Sequence, residues 1–463
     1  MNRRLLFLLG SILLLKGFLL AIDPYPALMF GDSASYLATA LIKWIPPDRS
    51  FVYGFILRRL TVNFQAHSLM PVVLFQALLS GIASWLVAVC LVKFFRARFS
   101  VAVVFSLLCA IEPMQLMFER FVLPDSLTTS VFAAFMLAVF SYLKRPGFIL
   151  LAGIQILSTL LVSLRLNFLP VAVVTAVLLP LLAHPIRRPW RSYGRIIAVP
   201  VLFSVLCSQG LLLGYRSLYG HLIGKPPAYS YRDGSFLLAV VVPLLQPIDF
   251  PNGVDGAAIL KQVRYPISDP DMRAVNHWWE GGLCDVFEKA VDDPDKANTL
   301  MKQTAIHAVL RDPVGTIRLA AGLYLDFFNG EELRYTLKVE EGQDNFATPE
   351  QASMLLSSFN FNTQNTHFDS LTKRWHGSAL PWYWFLLVFP AFYLPYLVSR
   401  RRAIGPQHIV CALFALIILV ETVTLVERVV TRYLVAEAWL VFVMIGAMMP
   451  SGKFVDLRPA GSA

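Results

Sequence analysis

The sequence predicts an all-α integral membrane protein with about ten transmembrane helices. Of its 463 residues, 56% are hydrophobic and only 15% are charged, whereas soluble domains carry roughly 25% charged residues. Apolar runs recur along the chain, and about 20 such residues let a helix cross the hydrocarbon layer with its backbone groups paired internally. Composition therefore excludes a soluble fold.

The apolar runs give the predicted spans. The first, Leu5–Ile22, follows Arg3 and Arg4 and resembles a signal peptide, but no small-residue cleavage pattern follows it, so we expect a retained helix. The others are Leu69–Val92, Phe99–Phe118, Ser126–Leu143, Phe148–Leu164, Leu166–Ala183, Ile196–Tyr215, Ala379–Ser399, Ala403–Leu425 and Val429–Met449.

Charge asymmetry predicts the orientation of these spans. With the N-terminus in the cytoplasm, every cytoplasmic segment is basic, as the positive-inside rule requires. The segment between Gly214 and Gly377 holds 20 acidic and 15 basic residues, a net charge of −5, while the rest of the chain carries +15. We therefore expect both termini in the cytoplasm, in a bacterial inner membrane. The cytoplasmic basic residues are Arg3, Arg4, Lys93, Arg96, Arg98, Lys144, Arg145, Arg187, Arg188, Arg191, Arg195, Arg400, Arg401, Arg402, Lys453 and Arg458.

Three regions follow from this topology: a transmembrane module over 1–215, a large extracytoplasmic loop over 216–378, and C-terminal helices with a short tail over 379–463. Within the first outer loop, 23–68, the apolar stretches 36–42 and 51–57 are too short to span, which predicts two surface helices. In the large loop, Phe236–Leu245 suits a re-entrant or buried element. Thr304–Phe328 has helical periodicity interrupted by Asp312-Pro313, which predicts a helix, a kink and a second helix returning to the membrane.

Three carboxylates lie at the predicted outer ends of spans. Asp32 follows the first helix, and Glu119 and Asp125 lie in the turn between the third and fourth. Acids that converge on one membrane face suit general-base activation of an acceptor hydroxyl or coordination of a divalent cation.

Each acid also has a purely structural interpretation. Asp125 follows a proline and precedes a helix, a position that also suits an N-cap. Asp32 precedes Ser33, near which a surface helix is predicted to begin, so it also suits a cap of that helix. Glu119 could pair with Arg120 at the headgroup level.

Arginines on the same face suit a lipid-linked phosphate. Arg49 lies in the first outer loop, Arg165 lies between two apolar runs, and Arg432 precedes the last span beside Tyr433. Guanidinium groups bind phosphate bidentately. The alternative is snorkelling to ordinary headgroups, which explains Arg165 less well because basic residues on the outer face oppose the topology bias.

Other chemistries receive no support from the sequence. The eight histidines show no metal-ligand spacing, and there is neither a phosphate-binding glycine loop nor an alternating strand and helix pattern. Only Cys284 lies in the large loop, so no disulfide framework is predicted there. The excess positive charge indicates topology rather than nucleic-acid binding.

In this order of elements the chain resembles the GT-C superfamily of polytopic glycosyltransferases, including protein mannosyltransferases and the enzymes that add aminoarabinose to lipid A. The similar features are the acidic first loop, the second acidic turn, Ser163-Leu164-Arg165, Thr431-Arg432-Tyr433-Leu434 and the stretch His307–Pro313.

The resemblance implies that Asp32 is the catalytic base, assisted by Glu119 or Asp125. It implies a polyprenyl-phosphate-linked sugar as donor, with its phosphate against Arg49, Arg165, Arg432 and Tyr433, and a glycan, lipid or protein on the outer face as acceptor. Many members have two adjacent acids in the first loop, whereas Ser33 follows Asp32 here. A divalent cation therefore remains open, and no metal ligands are assigned.

Two other classes of function remain open on the sequence. A transporter or flippase for lipid-linked glycans would have pseudo-symmetric halves and charges at the bilayer midplane, whereas these charges lie at the rim. A non-catalytic envelope-assembly protein with the same fold would bind membrane lipids without the chemistry.

Overall fold

The protein is helical throughout the part of the chain that the computed structural model describes, residues 3–184, 190–342, 347–363, 370–400 and 405–449. Within these ranges there is no β-strand, and an isolated bridge joins Ala27 to Phe121. Eight described helical segments are long and apolar enough to cross a membrane. These features confirm a helical membrane protein, with eight such segments where the sequence suggested about ten.

Ten α-helices lie in the described residues of the N-terminal half, and they form most of the membrane part. In chain order they are α1 Arg3–Ile22, α2 Phe30–Ile42, α3 Val52–Leu60, α4 Met70–Phe94, α5 Phe99–Ala110, α6 Pro113–Phe118, α7 Asp125–Lys144, α8 Phe148–Leu164, α9 Leu169–Ala183 and α10 Trp190–Ile223. Helix α10 continues past residue 215, where the sequence predicts the end of the first transmembrane module, to Ile223.

The span predicted at Phe99–Phe118 is wrong as a single helix. Helix α5 ends at Ala110 and α6 begins at Pro113, because proline disfavours helical geometry in the residue before it and lacks an N–H donor. The carboxylate of Glu112 accepts a hydrogen bond from the backbone N–H of Gln115 and caps α6. Helices α5 and α8, with 12 and 17 residues, are apolar but too short to be counted among the eight candidate spans. They account for the difference from the ten spans that the sequence predicts.

The first loop contains two helices, α2 and α3, in the stretches where the sequence predicts them. They pack closely where Gly54 of α3 meets Thr39 of α2, since a Cβ at position 54 would lie 2.4 Å from that of Thr39. Arg58 donates to the carbonyls of Ala40 and Leu41, the last turn of α2. These contacts hold the last turn of α2 against α3.

The described residues of the long segment between α10 and the last spans form nine α-helices: α11 Asp233–Val241, α12 Gly256–Gln262, α13 Arg273–Trp278, α14 Leu283–Val291, α15 Pro294–Arg311, α16 Pro313–Asp326, α17 Gly330–Glu340, α18 Pro349–Phe359 and α19 Leu371–Ser378. Helices α11, α12, α14 and α15 share a hydrophobic core of their own, the loop core, which includes Leu238, Ile259, Phe287 and Met301. The run Phe236–Leu245 is thus a buried element of this core.

The predicted break at Asp312-Pro313 is confirmed. Helix α15 ends at Arg311, and Asp312 caps α16 by accepting from the backbone N–H of Gly315 at 2.7 Å. Helix α15 begins at Pro294, ten residues before the predicted start. Its buried face packs in the loop core, whereas α16 leaves that core.

Three C-terminal helices complete the membrane part: α20 Leu380–Ser399, α21 Pro406–Thr424 and α22 Val435–Met448, the last preceded by a 3₁₀ turn at Thr431–Leu434. Residues of α4, α5, α7, α20, α21 and α22 share one large core with α2 and α3. We call the side of the membrane that carries residues 224–378 the loop side. Among the basic residues expected to be cytoplasmic, Arg187, Arg188, Arg401, Arg402, Lys453 and Arg458 lie outside the described residues.

The topology predicts opposite accessibility for two exposed polar positions. We expect a cysteine at Asn252 in the large loop to react with an impermeant thiol reagent in intact cells, and one at Ser100, beside the basic turn before α5, to react only after permeabilisation. Labelling of Ser100→Cys in intact cells would show that the orientation is the reverse of the predicted one.

Candidate functional site

Asp32 lies in the first turn of α2 and is held by two arginines, one from the same loop and one that lies 400 residues further along the chain. Nη1 of Arg49 lies 2.6 Å from Oδ1 of Asp32, and Nη1 of Arg432 pairs with Oδ2. Helix α2 begins at Phe30 and has no side-chain cap. The capping interpretation of Asp32 is therefore wrong, since both of its carboxylate oxygens bind guanidinium groups.

A second ion pair lies beside the first. Asp125 begins α7 and its Oδ1 pairs with Arg165, which follows α8. Asp125 caps no backbone N–H in its helix, so its N-cap interpretation is also wrong. The ring of Tyr433 joins the two ion pairs: the Cζ of Arg165 lies 5.0 Å from its centroid and the Cζ of Arg432 lies 5.7 Å from it.

Two tyrosines of the first loop, Tyr36 and Tyr53, pack beside the ion pair of Asp32 and Arg49. Tyr36 lies one helical turn after Asp32, and the Cζ of Arg49 lies 5.9 Å from its ring centroid. Its ring packs edge-on against Tyr53 at 5.1 Å. The Tyr53 hydroxyl donates to Gln76, so a hydrogen-bonded side chain of α4 fixes the base of the site.

The charges of the site fix the ionisation of Asp32. Burial alone would raise the pKa of its carboxyl, but the guanidinium groups of Arg432 and Arg49 outweigh burial and hold that pKa well below its usual range. Burial raises the pKa of the Tyr36 phenol above its usual value. At neutral pH the site therefore presents an ionised carboxylate and a neutral phenol.

Several buried polar atoms at the site have no hydrogen-bond partner in the described structure. They are Oδ2 of Asp125 and the Nε atoms of Arg165 and Arg432. A buried donor without a partner is costly, by about 1–3 kcal/mol. Two guanidinium N–H groups and one carboxylate oxygen are thus available to a ligand that enters between the two ion pairs.

Glu119 lies in a different cluster. Its carboxylate pairs at 3.0 Å with Lys16 of α1 and at 3.0 Å with Arg120, and all three side chains are buried. Arg120 also donates to the backbone carbonyls of Asp23 and Leu19. The expected pairing of Glu119 with Arg120 is confirmed, and the described contacts do not bring Glu119 to Asp32.

The sequence analysis missed a residue that orients Arg432. Glu340, at the end of α17, accepts from the backbone N–H groups of Thr431 at 2.8 Å and Arg432 at 3.2 Å, and also from the Thr431 hydroxyl. The Glu340 side chain is buried. The sequence shows two adjacent acidic residues at Glu340-Glu341. It does not show that α17 contacts the turn before α22.

A cavity opens beside Arg432 on the loop side. Its lining includes Met29, Tyr335, Arg428 and Glu340. Among the described residues, no group of three or more His, Cys, Asp or Glu side chains could hold a metal ion. The site is thus built from ion pairs and aromatic rings on the described part of the chain.

No protein-family model, curated protein or solved structure matches this chain. The fold and the site define a polytopic helical membrane protein whose loop-side surface holds paired carboxylates and arginines around a tyrosine. Six of the seven residues predicted for the site meet there: Asp32, Arg49, Asp125, Arg165, Arg432 and Tyr433.

The separate cluster of Glu119 predicts a loss of stability rather than of ligand binding. In Glu119→Gln, the buried Lys16 and Arg120 lose their shared counter-charge, and breaking such a pair costs about 3–5 kcal/mol. We expect a marked fall in the thermal unfolding temperature of the purified protein. An unchanged temperature would show that the pair contributes little, and Glu331→Gln on the exposed start of α17 is the control.

Proposed function

We propose that this protein is a membrane glycosyltransferase that moves a sugar from a polyprenyl-phosphate-linked donor to an acceptor on the extracytoplasmic side. The observation that carries the proposal is the site at which Asp32 and Asp125 are paired with Arg49, Arg165 and Arg432. It lies where the spans α7, α9 and α22 begin, the depth at which the phosphate of a membrane-embedded carrier would lie.

The transfer would use each group in one role. The acceptor hydroxyl oxygen attacks the anomeric carbon, the bond from that carbon to the donor phosphate oxygen breaks, and the phosphate leaves with the electron pair. Asp32 takes the proton of the acceptor hydroxyl. The fixed guanidinium groups of Arg165 and Arg432 stabilise the charge that develops on the leaving phosphate.

The atoms without partners support this assignment. The free Nε–H groups of Arg165 and Arg432 are donors of the type that binds phosphate oxygens, and Tyr433 lies between the two guanidinium groups. Contact between a snorkelling arginine and an ordinary headgroup would not need two such N–H donors held in place by carboxylates. Snorkelling therefore explains Arg165 and Arg432 less well than phosphate binding.

The low pKa of Asp32 implies that the donor activates the base. A carboxylate locked between two arginines is a weak base, whereas general bases work best with a pKa near the operating pH. A phosphate that engages Arg432 would weaken the hold of that guanidinium on Asp32 and raise the pKa of its carboxyl. Donor binding would thus come before proton transfer.

The base assignment predicts a rate effect for Asp32→Asn. General-base loss lowers rates by about 10²–10⁴-fold, so we expect transfer to fall by that factor while folded protein and polyprenyl-phosphate binding remain. The matched control is Asp48→Asn, because Asp48 pairs with Arg49 but not with Arg432. If Asp32→Asn transfers the sugar at a near-normal rate, Asp32 is not the general base.

The phosphate assignment predicts that Arg165→Lys is not conservative. Lysine keeps the charge but loses the planar fork of donors, so we expect weaker binding of undecaprenyl phosphate to the purified protein. Arg59→Lys, an exposed first-loop arginine stacked near Phe64, should bind normally. If Arg165→Lys and the parent protein bind undecaprenyl phosphate with equal affinity, Arg165 only contacts ordinary lipid headgroups.

Glu340 should act on the donor through Arg432. We expect Glu340→Gln to weaken undecaprenyl-phosphate binding, because one of its two acceptor oxygens becomes a donor facing Thr431. In an Arg432→Gln background the same change should have little further effect, since side chains that act as one unit are not additive. Additive losses would mean that Glu340 serves only the general fold.

The cellular consequence separates this function from the rivals. Mass analysis of envelope glycans should show a sugar that is lost without the protein and also lost in cells that carry Asp32→Asn. A flippase or an assembly protein would retain its effect in Asp32→Asn.

A further inference from the structure

Helix α16, with the last turn of α15, carries an apolar stripe that no described part of the chain covers. Leu310, Val314, Ile317 and Leu325 are exposed by 74%, 56%, 69% and 65% respectively. Their spacing places them on one face of the helical path. In an aqueous loop, such a contiguous apolar face would be unfavourable.

The opposite side of α16 packs on membrane spans. Leu323 is buried, the Tyr324 hydroxyl donates to the carbonyl of Leu387 in α20, and the indole N–H of Trp384 donates to the carbonyl of Phe327 at 2.9 Å. Helix α16 also contacts α21. The helix is therefore fixed against two spans and not only against other parts of the loop.

These contacts give the depth of α16. Helix α20 enters the membrane from the loop side at Leu380, and Leu387 lies seven residues further on, about 10 Å along the axis. Trp382 and Trp384 lie between these positions, as aromatic residues do at a membrane interface. The C-terminal end of α16 thus lies at the level of the headgroups and the first acyl carbons.

The length of α16 decides whether the helix crosses the membrane or lies along its surface. Helix α16 has 14 residues, about 21 Å, which is too short to cross a hydrocarbon layer of about 30 Å. Arg318 is exposed next to the stripe, where a long basic side chain can reach the headgroups. The helix is suited to lie in the plane of the interface.

We propose that the stripe of α16 is a lipid-contacting surface that anchors the large loop in the leaflet on the loop side, with bilayer acyl chains as its occupant. The loop core is tied to this anchor through α15, because Arg311 at its end pairs with Asp249 of that core at 2.7 Å. The anchor would hold the loop, including Glu340 at the end of the next helix, α17, at a fixed height above the site. This inference does not depend on the proposed transferase activity.

Spin labels can test the surface in the full-length protein. A nitroxide is attached to Ile317→Cys or Val314→Cys, with Cys207→Ser as background because the other four cysteines are buried. The protein is reconstituted in vesicles of phosphatidylethanolamine and phosphatidylglycerol. Collision rates with molecular oxygen, which concentrates in acyl chains, and with a water-soluble nickel chelate are then measured.

We expect labels at positions 314 and 317 to collide several-fold more with oxygen than with the chelate. The label at Gln303→Cys, on the exposed polar side of α15, should show the reverse. Chelate access at position 317 equal to that at 303 would overturn the proposal. Low access to both reagents would also overturn it, because a protein partner would then cover the stripe.

Discussion

The structure depends on neutralising charge at the edge of the membrane. Arginine and aspartate side chains that face a low-dielectric region are unfavourable unless they pair, and here Asp32 and Asp125 each hold arginines brought from other parts of the chain. Asp32 ties the first loop to the turn before α22, and Asp125 ties the start of α7 to the residue that follows α8. The ion pairs that stabilise the ends of the spans leave the Nε–H groups of Arg165 and Arg432 without partners, so these groups are available to a ligand.

The two clusters of acids show how similar residues take different roles. Glu119 is enclosed with Lys16 and Arg120, and its oxygens are satisfied by them. Asp125 keeps one oxygen without a partner, and Asp32 has a side chain 23% exposed. A carboxylate whose lone pairs are all occupied in a closed core contributes to stability, whereas one with an open side can meet a substrate.

The large loop takes part in the site instead of merely covering it. Glu340 of α17 binds the backbone of the turn that carries Arg432, and α16 packs on the spans α20 and α21. Movement of the loop would therefore change the orientation of Arg432. This connection links the position of the large loop to the geometry of the site.

The sequence by itself determined the class of fold, since long continuous apolar runs with few charges can cross a membrane as helices whose backbone groups pair within each segment. It also identified six residues that meet at the site, because charged groups at span ends must be paired or used. The break at Pro113 was readable from the sequence, yet the long apolar run obscured it. Only the tertiary structure decided that Glu119 pairs with Lys16, 103 residues away, that Arg432 binds Asp32, and that Glu340 orients the turn. Such contacts depend on how helices pack, which hydrophobic periodicity does not specify.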